Sequence, residues 1–168
     1  MADDREFTMP RPSGALRRLE FLVGTWRSVG TLEGPAGTVS GTETFAWLPG
    51  GFFLVHHWAG AFDVGGATVI DAGYEFFDFD PVACGFRTHF FSSLGPYDAA
   101  NSQYRGDFHG PALVLVGPAR VTREPDGDDK VRYVGEVPDG KGGWAPWLRG
   151  ELTRAPAPAS GAAVGAPR

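Results

Sequence analysis

One cysteine, two lysines and no run of 18 apolar residues set the outer bounds of this 168-residue chain. A single thiol, Cys84, excludes an internal disulfide and any multi-cysteine metal site. It falls in an expected turn between Pro81 and Gly85 with nothing around it that marks a nucleophile, so it reads as a turn residue. Thirteen of the fifteen basic residues are arginine, but they are scattered, and the net charge is −5. A nucleic-acid partner, which needs a basic stripe for phosphates, is not expected. Without a long apolar run no membrane span is expected. The acidic Met1–Glu6 stretch shows no apolar core of the signal-peptide kind, so a cytoplasmic protein is expected. Ser/His/Asp spacing, a phosphate-cradling glycine loop and a His-x-x-x-His zinc pair are also missing.

What is present is hydrophobic and aromatic. Hydrophobic residues make up 42% of the chain, with 13 Phe and 5 Trp, enough for one domain with a sizeable core. Residues 1–12 read as a loose arm. Ser13 is a plausible N-cap, Leu16, Leu19 and Leu22 recur at helical spacing, and Gly24 sits where a helix-stopping glycine belongs. Beyond it, turn signals recur every 8–15 residues: Gly34-Pro35, Pro49-Gly50-Gly51, Gly65-Gly66, Asp80-Pro81, Gly110-Pro111, Gly117-Pro118, Asp126-Gly127 and Asp139-Gly140. The runs between them, near 25–33, 38–47, 52–60, 67–79, 85–93, 102–109, 112–117, 119–124, 131–137 and 144–154, are rich in Val, Thr, Phe, Tyr and Trp. Short strands with tight turns predict an all-β, antiparallel up-and-down barrel of about ten strands, closed so that no edge stays exposed, with the short N-terminal helix plugging one end. The barrel domain is expected over 13–154, and the Ala/Pro/Gly-rich tail from Ala155 to Arg168 is expected to be disordered.

Three segments carry a resemblance. Leu19–Trp26 (LEFLVGTW), Trp47-Leu48-Pro49-Gly50-Gly51-Phe52-Phe53, and Tyr74–Asp80 leading to His89-Phe90-Phe91-Ser92-Ser93 resemble a bacterial lipocalin-like family without an assigned activity. The likeness spans roughly residues 15–154 and is more distantly similar to fatty-acid-binding proteins, lipocalins and the haem-binding nitrobindins. It implies a ten-stranded barrel with an internal cavity. In lipocalins a late arginine packs over the Gly-x-Trp ring, which implies Arg149 or Arg154 as a structural partner of Trp26 through a cation–π contact. Nitrobindins show Gly-x-Trp-x-Gly-x-Gly and bind iron through a histidine near the C-terminus. Here Ser28 replaces the middle glycine, and the last histidine is His109.

Register arguments place candidate site residues. Pairing Asp80 with Gly85 sets Asp78 opposite Arg87, Phe76 opposite His89 and Tyr74 opposite Phe91. Pairing Phe62 with Ala67 sets Val55 opposite Tyr74 and His57 opposite Ala72. One face then carries Val55, His57, Tyr74, Phe76, Asp78, Arg87, His89 and Phe91; the other carries Leu54, His56, Trp58, Glu75, Phe77, Phe86, Thr88 and Phe90. Both faces are aromatic, unlike a half-solvated sheet, so the outer face is expected to be covered by the helix, by a subunit partner or by both, with a homodimer favoured. His57, Tyr74, Arg87 and His89 are the candidate ligand-binding residues: Arg87 either anchors a ligand carboxylate or pairs with Asp78, and the other three either line the pocket or sit at its rim or at a partner interface. On this register His57 and His89 lie on the order of 16 Å apart, so no shared metal is expected, and no cofactor.

Function follows from shape: non-covalent binding of a small hydrophobic or amphipathic molecule in a barrel cavity. Two alternatives stand beside it. One is an enzyme isomerising or cyclising a hydrophobic metabolite, with Glu75, its pKa raised by burial, or a histidine moving the proton. The other is a haem protein of the nitrobindin kind.

Overall fold

The computed structural model describes residues 9–94 and 103–156. Most of the expected arm (1–12) and tail (155–168) lies outside the described residues. Among them, no helix is long and apolar enough to cross a membrane.

Ser13 caps a 3-10 helix over Gly14–Leu22, its side chain accepting from the Ala15 amide. At three residues per turn, Leu16, Leu19 and Leu22 fall on one line, and all three are buried. Ten antiparallel strands follow: β1 (Gly24–Glu33), β2 (Ala36–Trp47), β3 (Leu54–Val64), β4 (Ala67–Asp80), β5 (Gly85–Ser92), β6 (Gln103–His109), β7 (Ala112–Val116), β8 (Arg120–Pro125), β9 (Lys130–Pro138) and β10 (Trp144–Arg154). Each pairs with its chain neighbour, and β10 returns to β1 with Trp26 opposite Arg154, closing the barrel. No edge is left to aggregate.

Val23 is the C-cap of the helix, so Gly24 stands at the C′ position as expected, and at φ +134° it also opens β1. A Cβ there would fall 2.5 Å from Arg154 Nη1, so the position is kept bare for a guanidinium. The β3–β4 hairpin is tighter than expected. Gly65 and Gly66 both take positive φ and form a two-residue turn, so Val64, not Phe62, faces Ala67. His57 therefore pairs with Tyr74, not Ala72, and Val55 with Phe76. The slip is by two residues, so the face assignments survive it. The β4–β5 register is as expected, with Asp78 opposite Arg87 and Phe76 opposite His89.

The interior divides lengthwise. At the helix end Leu16, Leu19 and Leu22 pack with Trp26, Phe45, Leu54, Phe77, Phe86, Leu113, Leu115, Val131 and Leu152 into a continuous core. Trp26 Nε1 donates to Leu22 O at 2.7 Å, and Arg154 lies over its ring with Cζ 4.1 Å from the centroid. Arg154 Nη1 also donates to Val23 O at 3.0 Å, so it ties the helix exit to the last strand. Arg149, the other candidate for Trp26, pairs with Glu33 on the exposed surface instead.

Candidate functional site

Toward the other end the packing gives way to a cavity of about 490 Å³ inside the barrel. Its position follows from strand phase. On β2 the inward residues are Val39, Gly41, Glu43 and Phe45; on β3 they are Leu54, His56, Trp58 and Phe62. Near the packed core these side chains meet across the barrel. Farther out, Leu32, Val64, Val69 and Leu148 stand back and leave space.

The floor of the cavity is ionic. His56 places Nε2 2.9 Å from Glu43 Oε2 and Nδ1 3.2 Å from Glu75 Oε2, and its ring stacks on Phe45 with centroids 4.1 Å apart. Arg123, from β8 across the barrel, puts Nη2 2.9 Å from the same Glu75 oxygen and its guanidinium over Phe77. Ser28 bonds both Glu43 and the Tyr133 hydroxyl, the latter at 3.1 Å. Beside the floor Asp71 accepts from Trp58 Nε1 (3.2 Å), Ser92 Oγ (2.6 Å) and Ser93 Oγ (3.1 Å).

Proton affinities follow from these contacts. Burial works against the charge of His56, but the two carboxylates outweigh it and raise its pKa, which favours the imidazolium. Burial alone raises a carboxylate, as expected for Glu75 from the sequence, yet Arg123 and His56 bring Glu75 down to about 2. Glu43 is lowered by His56 in the same way, against its burial. Tyr133 is pushed up to about 12, mainly by burial. Glu75 is thus a fixed anion, and the raised-pKa base expected from its aromatic neighbours is not what its surroundings create.

Besides His56 Nε2, which meets Glu43 as an ion pair, two buried nitrogens of the lining residues have no hydrogen-bond partner among the described residues: Arg123 Nη1 and Trp147 Nε1. Such atoms are rare in native interiors and cost free energy unless something bonds them.

His57, Tyr74, Arg87 and His89 lie elsewhere. They occupy the opposite phase of β3, β4 and β5 and face away from the cavity. Tyr74 is 50% exposed and packs on His57 at 4.7 Å between ring centroids. Arg87 is held in a two-pronged pair by Asp78, Nε to Oδ1 at 2.9 Å and Nη2 to Oδ2 at 2.6 Å. His89 sits opposite Phe76, two residues along from the His57–Tyr74 pair and not four.

Sequence reasoning put His56 and Glu75 on one face but missed Glu43, Arg123, Ser28, Tyr133 and Trp147. The missing signal was phase. Glu43 sits two residues before Phe45 and four after Val39, and Arg123 two after Val121, so opposite charges occupy the apolar phase of separate strands.

No protein-family model matches the chain, and a search of curated proteins finds no match. Solved structures resemble it in barrel shape. A de novo designed fluorescence-activating β-barrel is 15% identical over 81% of this chain and 95% of its own, with a TM-score of 0.47. EF1p2_mFAP2b bound to DFHBI is 14% identical over 84% and 100%, at 0.43. The S-type phycobiliprotein lyase CPES from Guillardia theta is 12% identical over 88% and 100%, at 0.46.

Proposed function

We propose that this barrel binds a small hydrophobic or amphipathic molecule non-covalently in its cavity, as its resemblance to the bacterial lipocalin-like barrels implies. The observation that carries this is a 490 Å³ space with apolar walls above a polar floor that still offers an unpaired donor, Arg123 Nη1. A ligand burying about 300 Å² of apolar surface gains about 7 kcal/mol before the costs of association. The walls supply affinity and the floor orientation. The haem alternative gains no ligand from His56, since both its ring nitrogens face carboxylates. The enzyme alternative gains only a weak proton acceptor from Glu75, because Arg123 and His56 lower its pKa to about 2.

Titration with N-phenyl-1-naphthylamine, whose fluorescence rises in apolar surroundings, tests the proposal. Val121→Trp, which places an indole in the cavity, is expected to weaken binding at least tenfold. Tyr74→Ala, on the outer face, is expected to leave it unchanged. If Tyr74→Ala abolishes binding while Val121→Trp does not, the site is not the cavity.

The outer face of β3–β5 remains to be covered. Ile70, Tyr74 and Phe91 are 69%, 50% and 56% exposed there, and Phe76 packs edge-on against Phe91. A second copy of the chain suits this face. Its central charges, Asp78 and Arg87, neutralise each other, so a two-fold contact sets no like charges together. Light scattering that gives a monomer at tens of micromolar would remove this part of the proposal.

A further inference from the structure

The cavity floor also selects the chemistry of its occupant, an inference that rests on the binding proposal above. The ionisable side chains of the lining with a charge are Glu43, Asp71 and Glu75 on one side and His56 and Arg123 on the other. With the imidazolium formed, three buried anions face two buried cations. The positive charge of Arg123 is already engaged by Glu75, and that of His56 by two carboxylates. Asp71 is satisfied by Trp58, Ser92 and Ser93. What the lining residues leave without a partner among the described residues are two buried hydrogen-bond donors, Arg123 Nη1 and Trp147 Nε1, inside a field that carries no positive excess.

We infer that the ligand is a neutral apolar molecule bearing a carbonyl-type acceptor, taken by Arg123 Nη1, and that the cavity rejects the corresponding carboxylate. A ketone, ester or amide oxygen accepts from the unpartnered guanidinium arm and adds no charge. A carboxylate accepts equally well but introduces a fourth anion near Glu75, whose Oε2 already shares the guanidinium, and a buried charge without its own counter-ion is costly. An arginine inside a barrel does not by itself make a carboxylate site; here Glu75 has cancelled it.

Three naphthalenes of similar size separate the terms: 6-propionyl-2-dimethylaminonaphthalene (a neutral ketone), 6-dimethylamino-2-naphthoate, and 6-ethyl-2-dimethylaminonaphthalene, which has no acceptor. Fluorescence and calorimetric titration of the whole protein at pH 7.5 are expected to rank ketone, then hydrocarbon, then naphthoate, with the naphthoate at least tenfold weaker than the ketone. Arg123→Lys keeps a cation beside Glu75 but withdraws the second arm, and is expected to reduce the ketone to the level of the hydrocarbon. Glu75→Gln removes one anion and frees Arg123, and is expected to narrow or reverse the preference by at least tenfold in favour of the naphthoate. Glu43→Gln removes the same charge without touching Arg123 and shifts preference the same way, which keeps the test decisive if Glu75→Gln does not fold. Naphthoate binding to the unaltered protein as tightly as the ketone overturns the inference and leaves the cavity in place. Failure of all three to bind overturns the cavity reading and the inference together.

Discussion

Arg123→Met tests whether the buried ions hold the barrel together or merely accompany it. The substitution keeps most of the side-chain volume and deletes the charge. Arg123 Nη2 lies 2.9 Å from Glu75 Oε2, and the two side chains are only 11% and 6% exposed. At that distance and an effective dielectric of about 20, their attraction is about 6 kcal/mol. Desolvation of both ions offsets much of it, so deleting the whole pair costs little, whereas deleting one partner strands the other and costs about 3–5 kcal/mol. His56 still faces Glu75 in the variant, which favours the lower end. With a urea slope of about 2 kcal/mol per molar, 3 kcal/mol moves the unfolding midpoint down by about 1.5 M. Tryptophan fluorescence in urea reads this directly, and Trp58 and Trp147 both sit in the affected wall. The double variant Arg123→Met/Glu75→Gln is expected to recover at least about 1 kcal/mol relative to additivity. A single variant within about 0.3 M of the unaltered protein, or strictly additive behaviour in the cycle, would refute the role assigned to the pair.

Other expectations follow from neighbouring contacts. His56 has a raised pKa, so its contribution is complete below its ordinary 6.5 and is lost as pH rises through the folded value. Glu75 is lowered to about 2, so its contribution is present above the ordinary 4.5 and is lost as pH falls toward 2, with Glu43 acting in the same direction. Stability is thus expected to be greatest between about pH 4.5 and 6.5; guanidinium unfolding across pH 2–9 checks this, and a flat profile contradicts it. Arg154→Ala removes the cap over Trp26 and the bond to Val23 O and is expected to cost about 1–2 kcal/mol, whereas Arg149→Ala, which loses only the exposed pair with Glu33, is expected to cost less than about 0.5 kcal/mol by thermal melts. Gly150→Ala would set a Cβ 2.3 Å from the Tyr133 hydroxyl; it is expected to displace that ring from Ser28 and to cost about 1–3 kcal/mol in the same melts.

The architecture was legible because it depends on local features. Turn glycines and prolines cut the chain into strand-length pieces, and closure is the one arrangement that leaves ten such strands without an edge. Leu16, Leu19 and Leu22 announced a buried helical stripe. Which face looked inward was not legible, since Phe76, Tyr74 and Phe91 outside are as aromatic as Phe77, Phe79 and Phe86 inside. The choice of His57, Tyr74, Arg87 and His89 as ligand contacts followed from that ambiguity. Barrel closure settles it by curvature: only one set can converge on the axis, and it is the set with Leu54, His56 and Phe77. Glu43 and Arg123 were harder to foresee, because they are 80 positions apart in sequence and join one cluster, through His56 and Glu75, only after all the strands between them have gone round.

The division of the interior explains why the ions lie where they do. A dry void loses about 24 cal/mol for each Å³, so about 490 Å³ kept dry would cost on the order of 12 kcal/mol, comparable to the whole stability of a domain. A hollow barrel therefore needs an interior that water can wet when no ligand is bound, and polar groups with open valences provide it. Yet water admitted to the helix end would dissolve the core that holds the barrel shut. Glu43, His56, Glu75 and Arg123 stand at the border between the two regions, bonded to one another, with Phe45 and Phe77 packed beneath His56 and Arg123. They give the cavity a wettable floor and a rigid one, since none of them moves without stranding a charge. A ligand then replaces water against a surface already in its final form, and what that surface leaves free to bond, together with the charge it already holds, decides what enters.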